Sequence, residues 1–117
     1  MLISHIGIAV KNLDNAVEQY SLLLGAEPAG IEVVPDQQVR VAMFDLGNRT
    51  SGEFPSRIEL LEATSEDSPL ARSIAKRGEG LHHICLIVED LETKLKELES
   101  AGIQLIDRTP REGALAG

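Results

Sequence analysis

The sequence predicts an α+β fold made of two tandem βαβββ modules, the second lacking its last two strands. Three observations predict this fold: an internal repeat, a helical apolar stripe in each copy, and β-rich runs between the copies. The repeat aligns residues 5–25 with residues 83–102, and each copy is an apolar run, a polar junction and a helical pattern ending in Gly. We therefore expect one domain, with module one at 1–64, a connector at 65–80 and a partial module two at 81–117.

Each copy carries one helix with recognisable end signals. In the first, Asn12 suits an N-cap and Gly25 a C-terminal stop, because Gly tolerates positive φ. In the second, Asp90 takes the N-cap place and Gly102 ends the helix. The apolar residues recur at helical spacing. The predicted stripes are Leu13, Ala16, Val17, Tyr20, Leu23 and Leu24 in the first helix and Leu91, Leu95, Leu98 and Ala101 in the second.

The remaining elements follow from β-rich runs and turn residues. Strands are predicted at 31–34, 39–46 and 57–62, with a polar turn or flexible loop at 47–55. Ser68 followed by Pro69 predicts a connector helix through about Arg77. Module two offers strands at 81–88 and 103–106. The counterpart of Glu59 would fall beyond Gly117, so we expect the last two strands to be absent, either because the sequence is a fragment or because another chain supplies the sheet edge.

Composition excludes several classes of function. The chain has 117 residues, of which 43% are apolar, enough for one packed core. Its net charge of −8 argues against a nucleic-acid partner, and three aromatic side chains are too few for base stacking. Aliphatic runs are only strand-sized and the first residues lack a basic region, so neither a membrane span nor a secretory signal is expected. The single Cys85 excludes an internal disulfide and fits a reducing cytoplasm.

Three side chains point to metal chemistry. Strand alternation places His5 and His83 on the faces away from the helices of equivalent strands, and a pseudo-twofold axis would bring those faces together. Glu59 lies inside the apolar run 58–61, where a carboxylate is costly to bury unless it is paired, protonated or bound to a cation. Two imidazoles and a carboxylate suit a divalent transition metal in a cleft between the modules.

Other interpretations of these residues stay open. A strand histidine can be purely structural, and His82, expected on the face opposite its neighbour, is interpreted so. Glu59 can instead pair with Arg40 or Arg57. Cys85 lies on the cavity face without an evident base and is interpreted as a small core residue. Three cations of the connector helix could bind ligand phosphates or form a solvated face; they are Arg72, Lys76 and Arg77.

The sequence resembles the vicinal oxygen chelate superfamily, which includes glyoxalase I, and within it the methylmalonyl-CoA epimerases. The segments that carry the resemblance are HIGIAVKNLDNAVEQYSLLLG, QQVRVAMFDLGN, IELLEATSEDSPLARSIAKRGEGLHHICLIVEDL and GIQLIDRTPREGA. The resemblance implies that His5, Glu59 and His83 bind a divalent ion, with Co, Mn, Zn and Ni not distinguished. The fourth ligand would be a Glu of a late strand that this sequence does not reach. Some members place a catalytic Glu in the third strand, where Val41 stands here, so the catalytic acid and base are unassigned.

The resemblance also implies an activity, the 2R/2S epimerisation of methylmalonyl-CoA through an enolate stabilised by the metal. The implied partners are an acyl-CoA substrate and a second copy in a homodimer, with no nucleic acid and no membrane, in the cytoplasm. Two alternatives stay open: a glyoxalase I-like isomerase with the same ligands, and a metal-free small-molecule binding module of the same fold. The SEDSPLA and GEGLHHI segments favour the CoA ester. With three ligands and an open sheet edge, we expect the 117-residue chain alone to be a poor catalyst.

Overall fold

The computed structural model describes residues 2–47 and 56–104, and within these ranges the chain forms one five-stranded mixed sheet with three α-helices. The α+β class is as predicted, and the element order agrees as far as the described residues reach. Residues 103 and 104 are not in a strand, and the rest of the strand predicted at 103–106 lies outside the described residues, as do residues 48–55 of the predicted loop. The elements are β1 Leu2–Ala9, α1 Leu13–Leu24, β2 Gly30–Val34, a 3₁₀ turn Pro35–Gln37, β3 Val39–Asp45, β4 Arg57–Ala63, α2 Pro69–Arg77, β5 Gly80–Ile87 and α3 Leu91–Ser100.

The strands lie in the order β2-β3-β4-β1-β5. β1 is the junction of the sheet, since it runs parallel to β4 and antiparallel to β5. At its centre the β1–β5 pair is symmetrical with respect to the sequence repeat, because Ile6 lies opposite its repeat equivalent Ile84 and the repeat converts the pair on one side of it into the pair on the other. The central pairs are His5–Cys85, Ile6–Ile84 and Gly7–His83.

Helix α1 covers one face of the sheet. Its N-cap Asn12 accepts a hydrogen bond from the backbone N–H of Asn15, and Gly25 ends it at a φ of 66°, as predicted. The inward stripe packs on a buried cluster that includes Phe44 and Leu60. Leu23 was wrongly predicted for this stripe and is 74% exposed. At 3.6 residues per turn it lies about 80° around the axis from Leu13 and so points to the side of the sheet-facing stripe, whereas Leu24 still packs against the cluster.

Helix α2 covers part of the opposite face. Buried Ser68 accepts the N–H of Ala71 at 3.0 Å, and Pro69 begins the helix, as predicted. Leu70 then packs into a second buried cluster on the strands. The cluster consists of Ala9, Val39, Val41, Met43, Leu61 and Leu70. This apolar floor continues along the strands towards the candidate site.

The second repeat buries less than predicted. Helix α3 begins at Leu91 after its predicted cap Asp90, but no α3 residue is buried, and Leu91 is 44% exposed. Ile84 and Leu86, which strand alternation places on the α3 side of β5, are 55% and 51% exposed. The physical reason is that β5 is the last strand of the sheet in the described part of the chain, and one strand is a narrow floor for a helix. None of the helices described has the length and apolarity needed to cross a bilayer.

Candidate functional site

The candidate site is built around Gly7, on the sheet face opposite α1. Gly7 lies between Glu59 of β4 and His83 of β5 in the strand register. His5 lies two residues before Gly7 and therefore on the same face. Strands β1, β4 and β5 thus each contribute one of the residues that the sequence predicts as metal ligands.

The missing side chain of Gly7 makes room for the His83 ring. A Cβ atom at this position would lie 2.3 Å from His83 Cε1, 2.6 Å from Nδ1 and 2.8 Å from Nε2. No carbon can approach a ring so closely without displacing it. The alternation of His5, Gly7 and Ala9 already indicated a face with little bulk beside the histidine.

The three predicted residues meet in the structure. His5 Nε2 lies 2.9 Å from His83 Nε2, and the two rings are nearly perpendicular, with centroids 5.0 Å apart. His5 Nδ1 lies 3.4 Å from Glu59 Oε2. Glu59 is only 6% exposed, so its buried carboxylate needs a charged or hydrogen-bonding partner. His5 is therefore the central member, in contact with each of the other two.

Burial sets the protonation of this cluster. It is the main cause that lowers the pKa of His5 to about 4, and the charges of His83 and Arg57 lower it further. Burial also lowers the pKa of His83, with His82 as a further cause. Both rings are therefore neutral at pH 7, the form in which imidazole nitrogens bind metal ions. Burial raises the pKa of Glu59, and the charge of Arg57 opposes this rise.

Arg57 is the cation that pairs with Glu59. Its Nη2 atom lies 3.6 Å from Glu59 Oε2, and Arg57 is itself 7% exposed. Arg40, the other partner that the sequence offered, instead binds Asp14 at 2.6 Å and lies 4.0 Å from Glu62. A buried guanidinium therefore lowers the cost of keeping the Glu59 carboxylate charged.

Two further contacts hold the imidazoles, and sequence reasoning missed both. His82 Nδ1 lies 2.8 Å from His83 Nδ1, with ring centroids 5.1 Å apart. Ser4 Oγ lies 3.2 Å from His5 Nδ1. Strand alternation separated His82 from His83, and no sequence signal shows that the exposed His82 ring lies against its neighbour. Outer contacts of this kind fix the orientation of ring nitrogens in metal sites.

The arrangement of His5, His83 and Glu59 matches the geometry of a divalent metal site only in part. At bond lengths of about 2.0–2.1 Å and an angle of about 90°, two imidazole nitrogens on one ion lie about 2.9 Å apart, which matches the His5–His83 separation. Glu59, however, approaches His5 at Nδ1 rather than at Nε2. No three His, Cys, Asp or Glu side chains within residues 2–47 and 56–104 are grouped so that they could hold a metal ion. Glu59 thus fits by its chemistry and burial, and would need to turn to share an ion with both rings.

The remaining candidates lie around this cluster. Cys85 is half-buried and directly opposite His5 in the β1–β5 pair. Val41 is 2% exposed and lies on the apolar floor beside Leu61. The three cations of the connector helix α2 are all exposed: Arg72, Lys76 and Arg77.

Known proteins are similar to this chain in sequence and in fold. The family model described as the Glyoxalase/Bleomycin resistance protein/Dioxygenase superfamily matches residues 4–117. An ethylmalonyl-CoA/methylmalonyl-CoA epimerase of Cereibacter sphaeroides is 36% identical over 96% of this chain and 80% of its own length.

Solved structures of epimerases are also similar to this chain. A single-residue variant of a Streptomyces coelicolor methylmalonyl-CoA epimerase, in complex with 2-nitronate-propionyl-CoA, superposes with a TM-score of 0.88 at 37% identity, over 97% of this chain and 78% of that one. A methylmalonyl-CoA epimerase in complex with methylmalonyl-CoA and NH4+ gives a TM-score of 0.88 at 36% identity, over 98% of this chain and 79% of that one.

Proposed function

The chain belongs to the Glyoxalase/Bleomycin resistance protein/Dioxygenase superfamily, and on that premise we propose that it is a metal-dependent epimerase of methylmalonyl-CoA. The single observation that carries the proposal is the contact of His5 with both His83 and Glu59, at 2.9 Å and 3.4 Å, on one sheet face. The similarity to epimerases that bind methylmalonyl-CoA or its analogue supports the choice of substrate.

We propose His5, Glu59 and His83 as the protein ligands of a divalent ion. Lowered pKa values leave both imidazoles neutral and able to donate lone pairs at pH 7. When bound, the ion would act as a Lewis acid that stabilises an enolate of the substrate. Arg57 keeps Glu59 in place beside the rings.

An apolar floor lies beside these residues. Val41, Met43 and Leu61 are buried apolar side chains on the same face as Glu59. They give the site an apolar border that excludes water, and low local polarity strengthens the electrostatic interactions made there. Inversion at the α-carbon then requires proton transfer on both faces of a planar intermediate.

Three finer expectations belong to this proposal. The symmetrical β1–β5 register supports two tandem modules related by a pseudo-twofold axis. A second copy of the chain is expected at the exposed apolar residues of β5, which include Leu81 at 68% exposure. The unpaired thiol of Cys85 supports a reducing compartment such as the cytoplasm.

The test is α-proton exchange of methylmalonyl-CoA in D₂O, followed by mass spectrometry with the full-length protein and added Co²⁺ or Mn²⁺. We expect exchange and 2R/2S interconversion far above a protein-free control. His5→Ala and His83→Ala should lose both, together with bound metal. Exchange no faster than the control would reject the proposed function.

Cys85→Ala is the matched control for these variants. It changes the side chain directly opposite His5 without touching the proposed ligand set. We expect it to retain metal content and exchange. Equal metal content in wild type, His5→Ala and His83→Ala would contradict the ligand assignment and favour metal-free binding of a small molecule.

A further inference from the structure

One carboxylate on the site face is separate from the proposed metal ligands. Glu32 lies on β2, directly opposite Val41 of β3, and Val41 lies opposite Leu61 of β4. Directly paired residues face the same side of a sheet, so Glu32 shares the face of Val41, Leu61 and Glu59. Val34, two residues further along β2, packs against the apolar cluster on that face and confirms the orientation.

The spacing of the strands places Glu32 across the apolar floor from the metal ligands. Glu32 and Glu59 are two strands apart and offset by two residues along the strands. At about 4.8 Å between strands and about 3.3 Å per residue, their backbones are about 12 Å apart. A ligand that lies over the strands between them would therefore have the proposed metal ligands on one side and Glu32 on the other.

The charge of Glu32 is not neutralised by a neighbour. Within the described ranges no hydrogen bond or ion pair holds its half-buried carboxylate. A carboxylate without a partner on this face is available to accept a proton from a bound ligand, which points to a use other than stability.

The other carboxylates of strands β3 and β4 are weaker candidates than Glu32 for a role in proton transfer. Asp45 lies on the same face but directly opposite Arg57. Glu62 is held on the other face by the N–H of Leu13 at 2.7 Å and by Arg40. Glu59 belongs to the proposed ligand set. Glu32 is therefore the carboxylate of the described chain that lies on the site face, apart from the ligands, without a cation directly opposite.

We propose that Glu32 is a catalytic residue that exchanges the α-proton of the acyl-CoA on one face, an inference that rests on the proposed epimerase function. In this step a Glu32 oxygen forms an O–H bond as the α C–H bond breaks, and the electron pair passes into the enolate. A water molecule on the opposite face delivers a proton to the α-carbon. The hydroxide left behind takes the proton from Glu32, so that carboxylate and water are restored.

The experiment compares Glu32→Gln with wild type in two readouts, 2R/2S interconversion and D₂O exchange measured separately for each epimer. We expect interconversion to fall about 10²–10⁴-fold, the usual contribution of a positioned acid or base. Exchange of one epimer should fall with it, while the other epimer still exchanges without inversion. Glu32→Asp should recover part of the lost rate.

Asp36→Asn is the matched control, since it removes one negative charge four residues away in the exposed 3₁₀ turn. It should behave as wild type, and Glu32→Gln should keep wild-type metal content and melting temperature. Interconversion by Glu32→Gln at the wild-type rate would overturn the inference, and so would an equal loss of exchange in both epimers. Absence of exchange in wild type would reject the proposed function and, with it, this inference, whereas failure of the inference alone leaves wild-type exchange intact.

Discussion

Gly7→Ala tests how strictly the backbone of β1 determines the site. The added Cβ would lie 2.3 Å from His83 Cε1. Carbon atoms in packed interiors lie about 3.5–4.0 Å apart, so the ring must retreat by about 1.2–1.7 Å. His5 Nε2 and His83 Nε2, now 2.9 Å apart, then no longer span a shared ion.

The effect on stability should be small compared with the effect on activity. Overpacking costs about 1–3 kcal/mol, and replacing Gly by Ala where φ permits returns about 0.4–1 kcal/mol. Gly7 is not among the described glycines with positive φ, so this gain applies. His83 is only half-buried and can swing outwards, which favours the lower end of the cost. Activity should fall at least about 10²-fold, since displacement by about 1 Å is enough for such a loss.

The assays are denaturant unfolding, metal content and D₂O exchange, with Gly30→Ala as the control. A Cβ at Gly30 would lie 3.5 Å from Met43 Cε, an ordinary contact on the same sheet face. Gly30→Ala should keep metal and activity, whereas Gly7→Ala should remain folded and lose both. Wild-type metal binding and exchange in Gly7→Ala would refute the reasoning.

Three other perturbations have defined outcomes. Removal of metal by a chelator should abolish exchange, and added Co²⁺ should restore it; exchange that continues in metal-free protein would contradict the proposed cofactor. In metal-free protein, folding lowers the pKa of His5 from 6.5 to about 4. The unfolded state therefore takes up a proton at a higher pH than the folded state does, and the free energy of unfolding should fall as the pH drops from 6.5 to 4. Urea unfolding of His5→Gln should show a shallower loss over this range, and an unchanged slope would speak against a buried neutral ring. Ser68→Ala removes the bond that caps α2 at 3.0 Å and should cost about 0.5–2 kcal/mol in urea unfolding, and no measurable cost would exclude a stabilising cap.

The sequence was most informative where local chemistry decides the structure. The caps Asn12, Ser68 and Asp90 begin their helices as predicted, because a side-chain oxygen satisfies a free N–H wherever the helix packs. The alternation of β1 and the repeat likewise placed His5 and His83 on one face, since period two needs no knowledge of neighbours. These signals are local, and they were enough to indicate the site.

Long-range packing could not be predicted in the same way. Leu23 lies at the edge of the apolar stripe and is exposed, and the helical period does not tell how wide a stripe the sheet covers. The His82–His83 contact depends on a rotamer of an exposed ring, and the place of Glu32 on the site face depends on the β2–β3 register. Each of these required the pairing of strands in three dimensions.

The most direct test of the central claim is anomalous diffraction from crystals of the Co²⁺-loaded protein. We expect one anomalous peak within about 2.0–2.2 Å of a ring nitrogen of His5, a ring nitrogen of His83 and a carboxylate oxygen of Glu59. A peak elsewhere, or none at the His5–His83 pair under full loading, would contradict it.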